Sequence, residues 1–196
     1  MRPVTTDSAR RVVTRKQVLD LAAALFARNG YKATSLELVA DKLGVTRQAL
    51  YYHFRNKQEI LAALFDELMT AMDKALEEAA PDGEETTFEA LLRAHIEVIV
   101  RDVDWAAVLL HAWPELAKTP GLNAGPRRTA YERKFARAYR EGVREGRLRP
   151  LNPDRAARTL LAAANSVTSW HRPGTAVREA QATRDTVELL THGFRR

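Results

Sequence analysis

The 196-residue chain contains no cysteine. This absence excludes a disulfide framework, a zinc site built from thiolates and an enzyme with a cysteine nucleophile. The chain also lacks any run approaching the roughly 18 consecutive apolar residues that cross a bilayer. No apolar segment follows the basic N-terminus, as one would in a signal peptide. We therefore expect a cytoplasmic protein.

Glycine and proline are sparse, with 9 and 8 residues, whereas hydrophobic residues make up 45% of the chain. The composition excludes a collagen-like repeat and a disordered polymer. A chain of this length forms one large domain or two small ones and needs no disulfide or metal to complete its core.

Acidic residues are scarce in the first third of the chain. Residues 1–60 contain 11 Lys and Arg against 5 Asp and Glu, whereas residues 61–196 contain 20 of each. The formal net charge of +6 therefore belongs to the first third. Such an asymmetry favours a polyanionic partner for this part, although a pI of about 9.8 by itself also occurs in proteins without one.

Apolar residues recur at helical spacing along almost the whole chain, which predicts an all-α protein of about nine helices. Only residues 1–13 lack this period, and we interpret them as a flexible basic arm. Thr34 with Glu37, and Thr86 with Glu89, are predicted capping boxes. Pro114 should kink or end a helix predicted from Asp104 to about Lys118. Further helices are predicted over 127–146, from the Asn152-Pro153 cap to about 169, and over about 177–194.

Residues 34–54 have the sequence form of a DNA-reading helix-turn-helix, with a glycine in the turn between two short helices. The second helix begins with polar residues that can bond base edges or phosphates, and continues with aromatic residues whose polar tips can reach phosphates. A lysine in the first turn of the next helix can hold a phosphate together with free backbone N–H groups. Two short helices around a glycine also occur in helical proteins that bind no DNA. The candidates for DNA contact are Thr46, Arg47, Gln48, Tyr51, Tyr52, His53 and Lys57.

Residues 12–60 resemble the N-terminal domain of the TetR family of bacterial transcriptional regulators. The resemblance implies a homodimer that binds a palindromic operator, usually represses, and is released by a small molecule. It divides the chain into the arm, a DNA-binding domain over 14–60 and a ligand-binding and dimerising domain over 61–196, and it adds Thr34 and Ser35 to the DNA contacts. The matching residues are Ala22, Leu25, Phe26, Gly30, Tyr31, Thr34, Ser35, Val39, Ala40, Leu43, Gly44, Val45, Leu50, Tyr51, Tyr52, Phe54 and Lys57.

The last two long predicted helices, about 154–170 and 177–194, carry faces of small and apolar residues. In the TetR family the corresponding helices usually pack against their copies in a four-helix dimer interface. The alternative is that these faces are buried within their own domain. The residues expected at the interface are Leu160, Leu161, Ala164, Val187, Leu190 and Phe194.

The segment from Trp170 to Gly174 resembles a W-x-R-P-G stretch in TetR-family repressors of steroid and fatty-acid breakdown, whose inducers are acyl-CoA thioesters. Such a ligand needs an apolar tunnel and cations for its phosphates. The alternative is core packing for each tryptophan and a solvated surface for each arginine. The candidate wall residues are Trp105, Leu109, Trp113 and Trp170, and the candidate cations are Arg101, Arg172 and Arg178.

Other functions remain open at this point. One is a drug-responsive repressor of an efflux pump, although few acidic residues lie near the tryptophans to attract a cationic drug. An enzyme is not expected, because the sequence shows no nucleophile motif, glycine-rich phosphate loop or paired carboxylates. A non-specific packaging protein is disfavoured because the excess charge is confined to one small domain. His95 and His111 are not clustered with other ligands, so neither a metal nor a cofactor is expected.

Overall fold

The structure, a computed structural model, describes residues 13–81 and 85–192, and these residues confirm the all-α prediction. The predicted arm, apart from Val13, and Phe194 lie outside the described residues. Eleven helices form in the described part of the chain: α1 (Arg15–Asn29), α2 (Leu36–Leu43), α3 (Arg47–His53), α4 (Lys57–Glu78), α5 (Thr87–Arg101), α6 (Val103–His111), α7 (Trp113–Leu116), α8 (Ala124–Arg144), α9 (Pro153–Asn165), α10 (Val167–Trp170) and α11 (Ala176–His192).

Side-chain caps fix where several of these helices begin. The Thr86–Glu89 capping box at the start of α5 is confirmed, with Glu89 buried. Thr46 caps α3 as predicted by accepting the N–H of Ala49. The predicted Thr34–Glu37 box is wrong by one position, because the Ser35 hydroxyl accepts the N–H of Leu38 and thereby caps α2.

Two predicted helices are each divided in the structure, which explains eleven helices instead of about nine. The chain breaks at Ala112 between α6 and α7, so that Pro114 lies in the first turn of α7, where a missing N–H costs nothing. It breaks again at Ser166, between α9 and α10. Helix α8 begins at Ala124, before the predicted start at residue 127. Pro126 is compatible with this earlier start because it lies in the first turn, where its missing N–H has no partner within the helix.

Helices α1–α3 pack with the start of α4 into a small N-terminal bundle, and α5 lies at the centre of a larger one. Eleven of the 15 residues of α5 are buried, against α4, α8, α9 and α11. Helix α4 belongs to both bundles, and its 22 residues extend about 33 Å. The predicted domain boundary at residue 60 falls in the first turn of α4. One continuous helix therefore links the two parts.

Among the described residues, no helix combines the length and the hydropathy that crossing a bilayer requires.

Candidate DNA-contacting surface and ligand cavity

The turn between α2 and α3 depends on Gly44. Its φ of 68° and ψ of 33° lie in the left-handed region, which glycine adopts without strain. Leu50 and Phe54, both buried, then anchor α3 to the bundle. Because Leu50 and Phe54 bury one side of α3, the opposite side of this helix faces the solvent.

The outward side of α3 carries most of the predicted DNA contacts. Thr46, Arg47 and Gln48 are exposed at its start. Tyr52 is 86% exposed and Tyr51 44%. Exposed aromatic rings in such numbers are uncommon on a surface without a partner. The Arg47 guanidinium lies 3.9 Å from the Glu37 carboxylate, an exposed ion pair of little strength that a phosphate or a base can replace.

The prediction that Thr34 contacts DNA is corrected by the structure. Its side chain is wholly buried, and the hydroxyl donates to the carbonyl of Gly30 at 3.0 Å. Thr34 therefore closes the turn between α1 and α2. Its neighbour Ser35 is exposed, with its hydroxyl engaged as the cap of α2.

Lys57 also has a different role from the predicted phosphate contact. Its ammonium donates to the carbonyls of Tyr31, Lys32 and Thr34 at 2.9, 3.0 and 3.1 Å. It also lies 4.7 Å from the centre of the Tyr31 ring. Because an ammonium has three donors and all three are used, Lys57 fastens the α1–α2 turn to the start of α4.

His53 is half-buried, and its Nε2 lies 2.9 Å from the carbonyl oxygen of Val13. Only a protonated nitrogen can form this bond, so Nε2 donates. The contact ties the end of α3 to the residue that precedes the cap of α1. His53 therefore positions α3, in addition to lying near the predicted DNA-contacting surface.

A cavity of about 750 Å³ lies in the larger bundle, between α4, α5, α6, α8 and α9. This volume is typical of small-molecule sites. Most of its wall is apolar, and α4 supplies a continuous stripe of that wall. Apolar wall residues include Phe65, Leu68, Met69, Met72, Leu109 and Leu161.

Three polar side chains form a hydrogen-bonded group in the cavity wall, with His95 and Tyr131 buried and Asn165 half-buried. His95 Nε2 lies 3.2 Å from Asn165 Oδ1, and His95 Nδ1 lies 2.8 Å from the Tyr131 hydroxyl. Two arrangements satisfy all three groups: Nε2–H donates to Oδ1 while Nδ1 accepts from the hydroxyl, or, with the amide turned, its NH₂ donates to Nε2 while Nδ1–H donates to the hydroxyl oxygen. Burial lowers the pKa of His95 from 6.5 to about 4, against a smaller opposing effect of Asn165, so the ring is neutral at pH 7. Burial also raises the pKa of Tyr131.

The outer part of the cavity is charged. Glu132 accepts from Arg128 at 2.9 Å and from Arg158 at 3.3 Å, which links α8 to α9. The Arg128 guanidinium also lies 4.8 Å from the centre of the Trp113 ring. The Arg158 side chain is 69% exposed, in contrast to the buried His95 and Tyr131. The cavity thus has a charged mouth and a neutral polar inner wall.

Of the predicted ligand residues, only Leu109 and Trp113 line this cavity. Trp105 is buried, and the ammonium of Lys16 lies 5.4 Å from its ring centre. Arg101 pairs with its neighbour Asp102. The other three predicted residues, Trp170, Arg172 and Arg178, are exposed away from the cavity.

The polar and charged cavity residues that sequence reasoning missed are His95, Arg128, Tyr131, Glu132, Arg158, Asn165 and Ser166. Of these, only His95 is considered from the sequence, as a metal ligand that is rejected, and in the structure both ring nitrogens of His95 have hydrogen-bond partners. A polar residue on the apolar face of a helix is the local signal for such a position. Asn165, at the end of the alanine-rich face of α9, shows the same signal.

The predicted dimer residues do not share one face. Leu161 lines the cavity and Ala164 is wholly buried within the protomer, so neither can meet a second copy. Leu160, Val187 and Leu190 are half-buried. Leu189, which sequence reasoning missed, is 78% exposed on α11, and Val177 is 76% exposed on the same helix.

Direct contacts join α7 and the segment after it to the N-terminal bundle. Lys32 pairs with Glu115 of α7 at 3.3 Å, and Gln58 donates to the Thr119 hydroxyl at 3.1 Å. Trp113, in the cavity wall, begins the same helix α7. Both α4 and α7 therefore connect the cavity wall with the bundle that carries α3.

Both parts of the chain match models of known protein families. Residues 18–64 match the family model for bacterial regulatory proteins of the tetR family, and residues 84–194 match that for the tetracyclin repressor-like C-terminal domain. The transcriptional repressor KstR2 of Mycolicibacterium smegmatis is 30% identical over 172 residues, which cover 82% of this chain and 80% of that protein.

Solved structures share the fold. The ketosteroid transcriptional regulator KstR2 of Mycobacterium tuberculosis superposes with a TM-score of 0.79 at 24% identity, covering 95% of this chain and 98% of that one. AibR, solved in complex with isovaleryl coenzyme A and operator DNA, superposes with a TM-score of 0.70 at 22% identity, covering 89% and 96%.

Proposed function

The chain belongs to the TetR family of bacterial transcription regulators, which are not enzymes, and we propose that it acts as a repressor controlled by an acyl-CoA thioester. In this proposal a homodimer binds a palindromic operator, and the thioester releases it by entering the cavity. The observation that carries the proposal is the 750 Å³ cavity, whose apolar wall is formed in part by the helix that also supports the DNA-contacting bundle.

The two ends of the cavity suit the two ends of a thioester. An acyl group buries its carbons against α4 and α6, and burial contributes about 0.8 kcal/mol for each CH₂. The phosphates of coenzyme A would meet Arg128 and Arg158 at the mouth, because guanidinium groups bind phosphate oxygens in pairs. AibR, the structural neighbour solved in complex with isovaleryl coenzyme A, supports this ligand class.

A cationic drug fits the cavity less well. Its charge would face two arginines, Arg128 and Arg158, with only the carboxylate of Glu132 between them. An efflux-pump repressor that senses such drugs is therefore not favoured.

The DNA-contacting surface in this proposal is the outward side of α3 with the start of α2. Arg47 and Gln48 are in position to read bases, because the first residues of a recognition helix enter the major groove. Ser35, Thr46, Tyr51 and Tyr52 contact the phosphate backbone around them. Lys57 and His53 position this surface through hydrogen bonds to backbone carbonyls of the N-terminal bundle.

The dimer in this proposal uses the outward residues of α9 and α11. Leu189 and Val177 are large apolar residues exposed on α11, and Leu160, Val187 and Leu190 lie half-buried beside them. A two-fold axis at these helices would bury them and set two copies of α3 in successive major grooves, one helical turn apart.

Release follows from the contacts of the cavity wall. A ligand that enlarges the cavity displaces Met69 and Met72 of α4 or Trp113 of α7. Both helices are joined to the N-terminal bundle, α7 through the Lys32–Glu115 pair. A shift of either changes the position of α3, and the two copies then no longer match the operator spacing.

The test is fluorescence anisotropy on labelled DNA from upstream of the gene, beside random DNA at the same salt concentration. We expect selective binding, and release by members of a panel of acyl-CoA thioesters. Arg158→Gln should raise the thioester concentration needed for release. Arg155→Gln, an exposed arginine on the same helix but outside the cavity, is the matched control and should not. Equal binding to both DNAs, or release that neither variant alters, contradicts the proposal.

A further inference from the structure

The outward side of α8 carries a row of four exposed arginines, Arg133, Arg137, Arg140 and Arg144. Their spacing of four, three and four residues places them on one side of the helix, opposite the side that packs on α5. Helix α8 contains seven Lys and Arg against two Glu. The equal numbers of acidic and basic residues over 61–196 therefore conceal one strongly basic helix.

Most of the charge in this arginine row is not neutralised within the protein. Among the described residues, the first three arginines of the row form no ion pair, and the fourth, Arg144, pairs with Glu141 on the same helix. The cations on the other sides of α8 all pair with carboxylates of α4 or with Glu132; these are Arg127, Arg128 and Lys134. The unpaired charge of α8 is thus concentrated on its outward side.

Helix stability does not explain the arginine row. Like charges three or four residues apart on a helix repel each other, at a cost of about 0.2–0.5 kcal/mol for each pair. The negative end of the helix dipole offsets this cost only in the last turn, where Arg144 lies. A concentration of like charge that costs stability indicates a surface for an anionic partner.

The chemistry of the row fits a phosphate backbone better than a protein or a membrane. Guanidinium groups bind phosphate oxygens in pairs. The large apolar residues that are exposed in the described part of the chain all lie outside α8, whereas protein interfaces and membrane-bound helices depend on apolar anchors. Four cations along about 16 Å of helix suit DNA contacts that do not depend on sequence.

The arginine row is distant from the DNA that α3 would read. Arg127 of α8 pairs with Asp66 of α4. Further along both helices, Lys134 pairs with Asp73, so α8 runs beside α4 and away from the N-terminal bundle. Asp73 lies 16 residues beyond Lys57, the first residue of α4, which corresponds to about 24 Å. The row begins at about this level and extends further out, so it faces a second segment of DNA.

We propose that the arginine row of α8 is a second, sequence-independent DNA-binding surface, which holds another duplex segment while α3 reads the operator. This proposal rests on the proposed function in taking α3 as the operator-reading helix. The dimer of that function uses α9 and α11, so each copy keeps its own row. One dimer would then bridge two segments of DNA.

Variants that disable one surface at a time test the proposal. Arg47→Ala with Tyr52→Ala disables α3, and Arg133→Gln with Arg137→Gln and Arg140→Gln removes the unpaired charge of the row. Binding of a random-sequence duplex is measured by anisotropy from about 50 mM salt upwards. We expect the α3-disabled protein to retain binding with a salt slope of about 3 to 4, because each phosphate contact contributes about 0.9. Adding the row substitutions should weaken this residual binding at least about tenfold.

The matched control replaces three exposed cations outside the row and lowers the net charge equally, through Lys74→Gln, Lys118→Gln and Arg172→Gln. In the α3-disabled protein this control should keep the residual binding. No residual binding, or residual binding that the row and control substitutions affect equally, would overturn the proposal. Operator preference is measured separately on the protein with α3 intact, so its failure would contradict the proposed function and not the second surface.

Simultaneous binding is tested on beads that carry a duplex from upstream of the gene. The wild type held on these beads should capture a labelled second duplex, and the row variant, held equally well, should not. Equal capture by both proteins, or capture by neither, would also overturn the proposal.

Discussion

Lowering the pH from 7.5 to 5 should destabilise the wild-type protein by about 2 kcal/mol more than a His95→Gln variant. The substitution removes one titrating group, the buried imidazole of His95. Glutamine can donate to one of the partners Asn165 and Tyr131 and accept from the other as the neutral histidine does, but it cannot take up a proton. All other titrating groups are common to the two proteins, so their contributions cancel in the comparison.

The magnitude follows from the pKa of His95, about 4 in the folded protein against an ordinary value of 6.5. Between these two values the unfolded chain binds a proton that the folded chain does not. Stability is therefore complete above about pH 6.5 and falls as the pH drops, until the loss levels off below about pH 4. At 1.36 kcal/mol for each pH unit, the loss is about 2 kcal/mol at pH 5 and about 3 kcal/mol at its limit.

The assay is urea denaturation followed by tryptophan fluorescence, at pH 7.5 and pH 5. Protein concentration is held fixed because association shifts apparent stability. The quantity compared is the change in unfolding free energy of each protein between the two pH values, so a constant cost of the substitution does not matter. Equal changes in the wild type and in His95→Gln would refute the argument that His95 is neutral and buried.

Three further predictions concern the DNA-contacting surface and the dimer. Lys57→Met, which loses three hydrogen bonds to carbonyls, should lower the unfolding free energy by about 1.5–3 kcal/mol and leave the salt dependence of DNA binding unchanged. A salt slope smaller by about 1 would instead restore Lys57 as a phosphate contact. Arg47→Ala or Gln48→Ala should reduce the preference for operator over random DNA by about 1–3 kcal/mol, measured by anisotropy at fixed salt; equal losses on both DNAs would contradict base reading. Val187→Asp combined with Leu189→Asp should yield monomers in sedimentation experiments, and a dimer that persists would place the interface elsewhere.

Features that depend on neighbours in sequence could be predicted. The Thr46 cap and the Thr86–Glu89 box are local hydrogen bonds over three residues. The helical period of 3.6 likewise separates the buried Leu50 and Phe54 from the exposed Tyr51 and Tyr52. These signals are enough for the helix-turn-helix and for the all-α class.

Features that depend on residues far apart in the sequence could not be predicted. Thr34 and Ser35 are both able to cap α2, and burial of Thr34 behind the end of α1 decides between them. The carbonyl partners of Lys57 lie 23 to 26 residues earlier in the chain. No local pattern shows that its three donors are already used.

The polar wall of the cavity could not be predicted for the same reason, because its residues are far apart in the sequence. His95 meets Tyr131 at a separation of 36 residues and Asn165 at a separation of 70. Leu161 and Ala164 show that an apolar helix face does not by itself identify its partner. The sequence predicts a dimer surface on this face of α9, whereas packing against α8 and α5 buries both residues within the protomer.

The central claim is that a ligand in the cavity controls DNA binding, and blocking the cavity tests it most directly. Ala162 is exposed in the cavity wall, so Ala162→Trp should close the cavity without disturbing the core. Ala130→Trp, an exposed position on α8 that does not line the cavity, is the control. We expect all three proteins to bind the operator equally, and an acyl-CoA thioester to release the wild type and Ala130→Trp but not Ala162→Trp. Release of all three at the same thioester concentration would contradict the account.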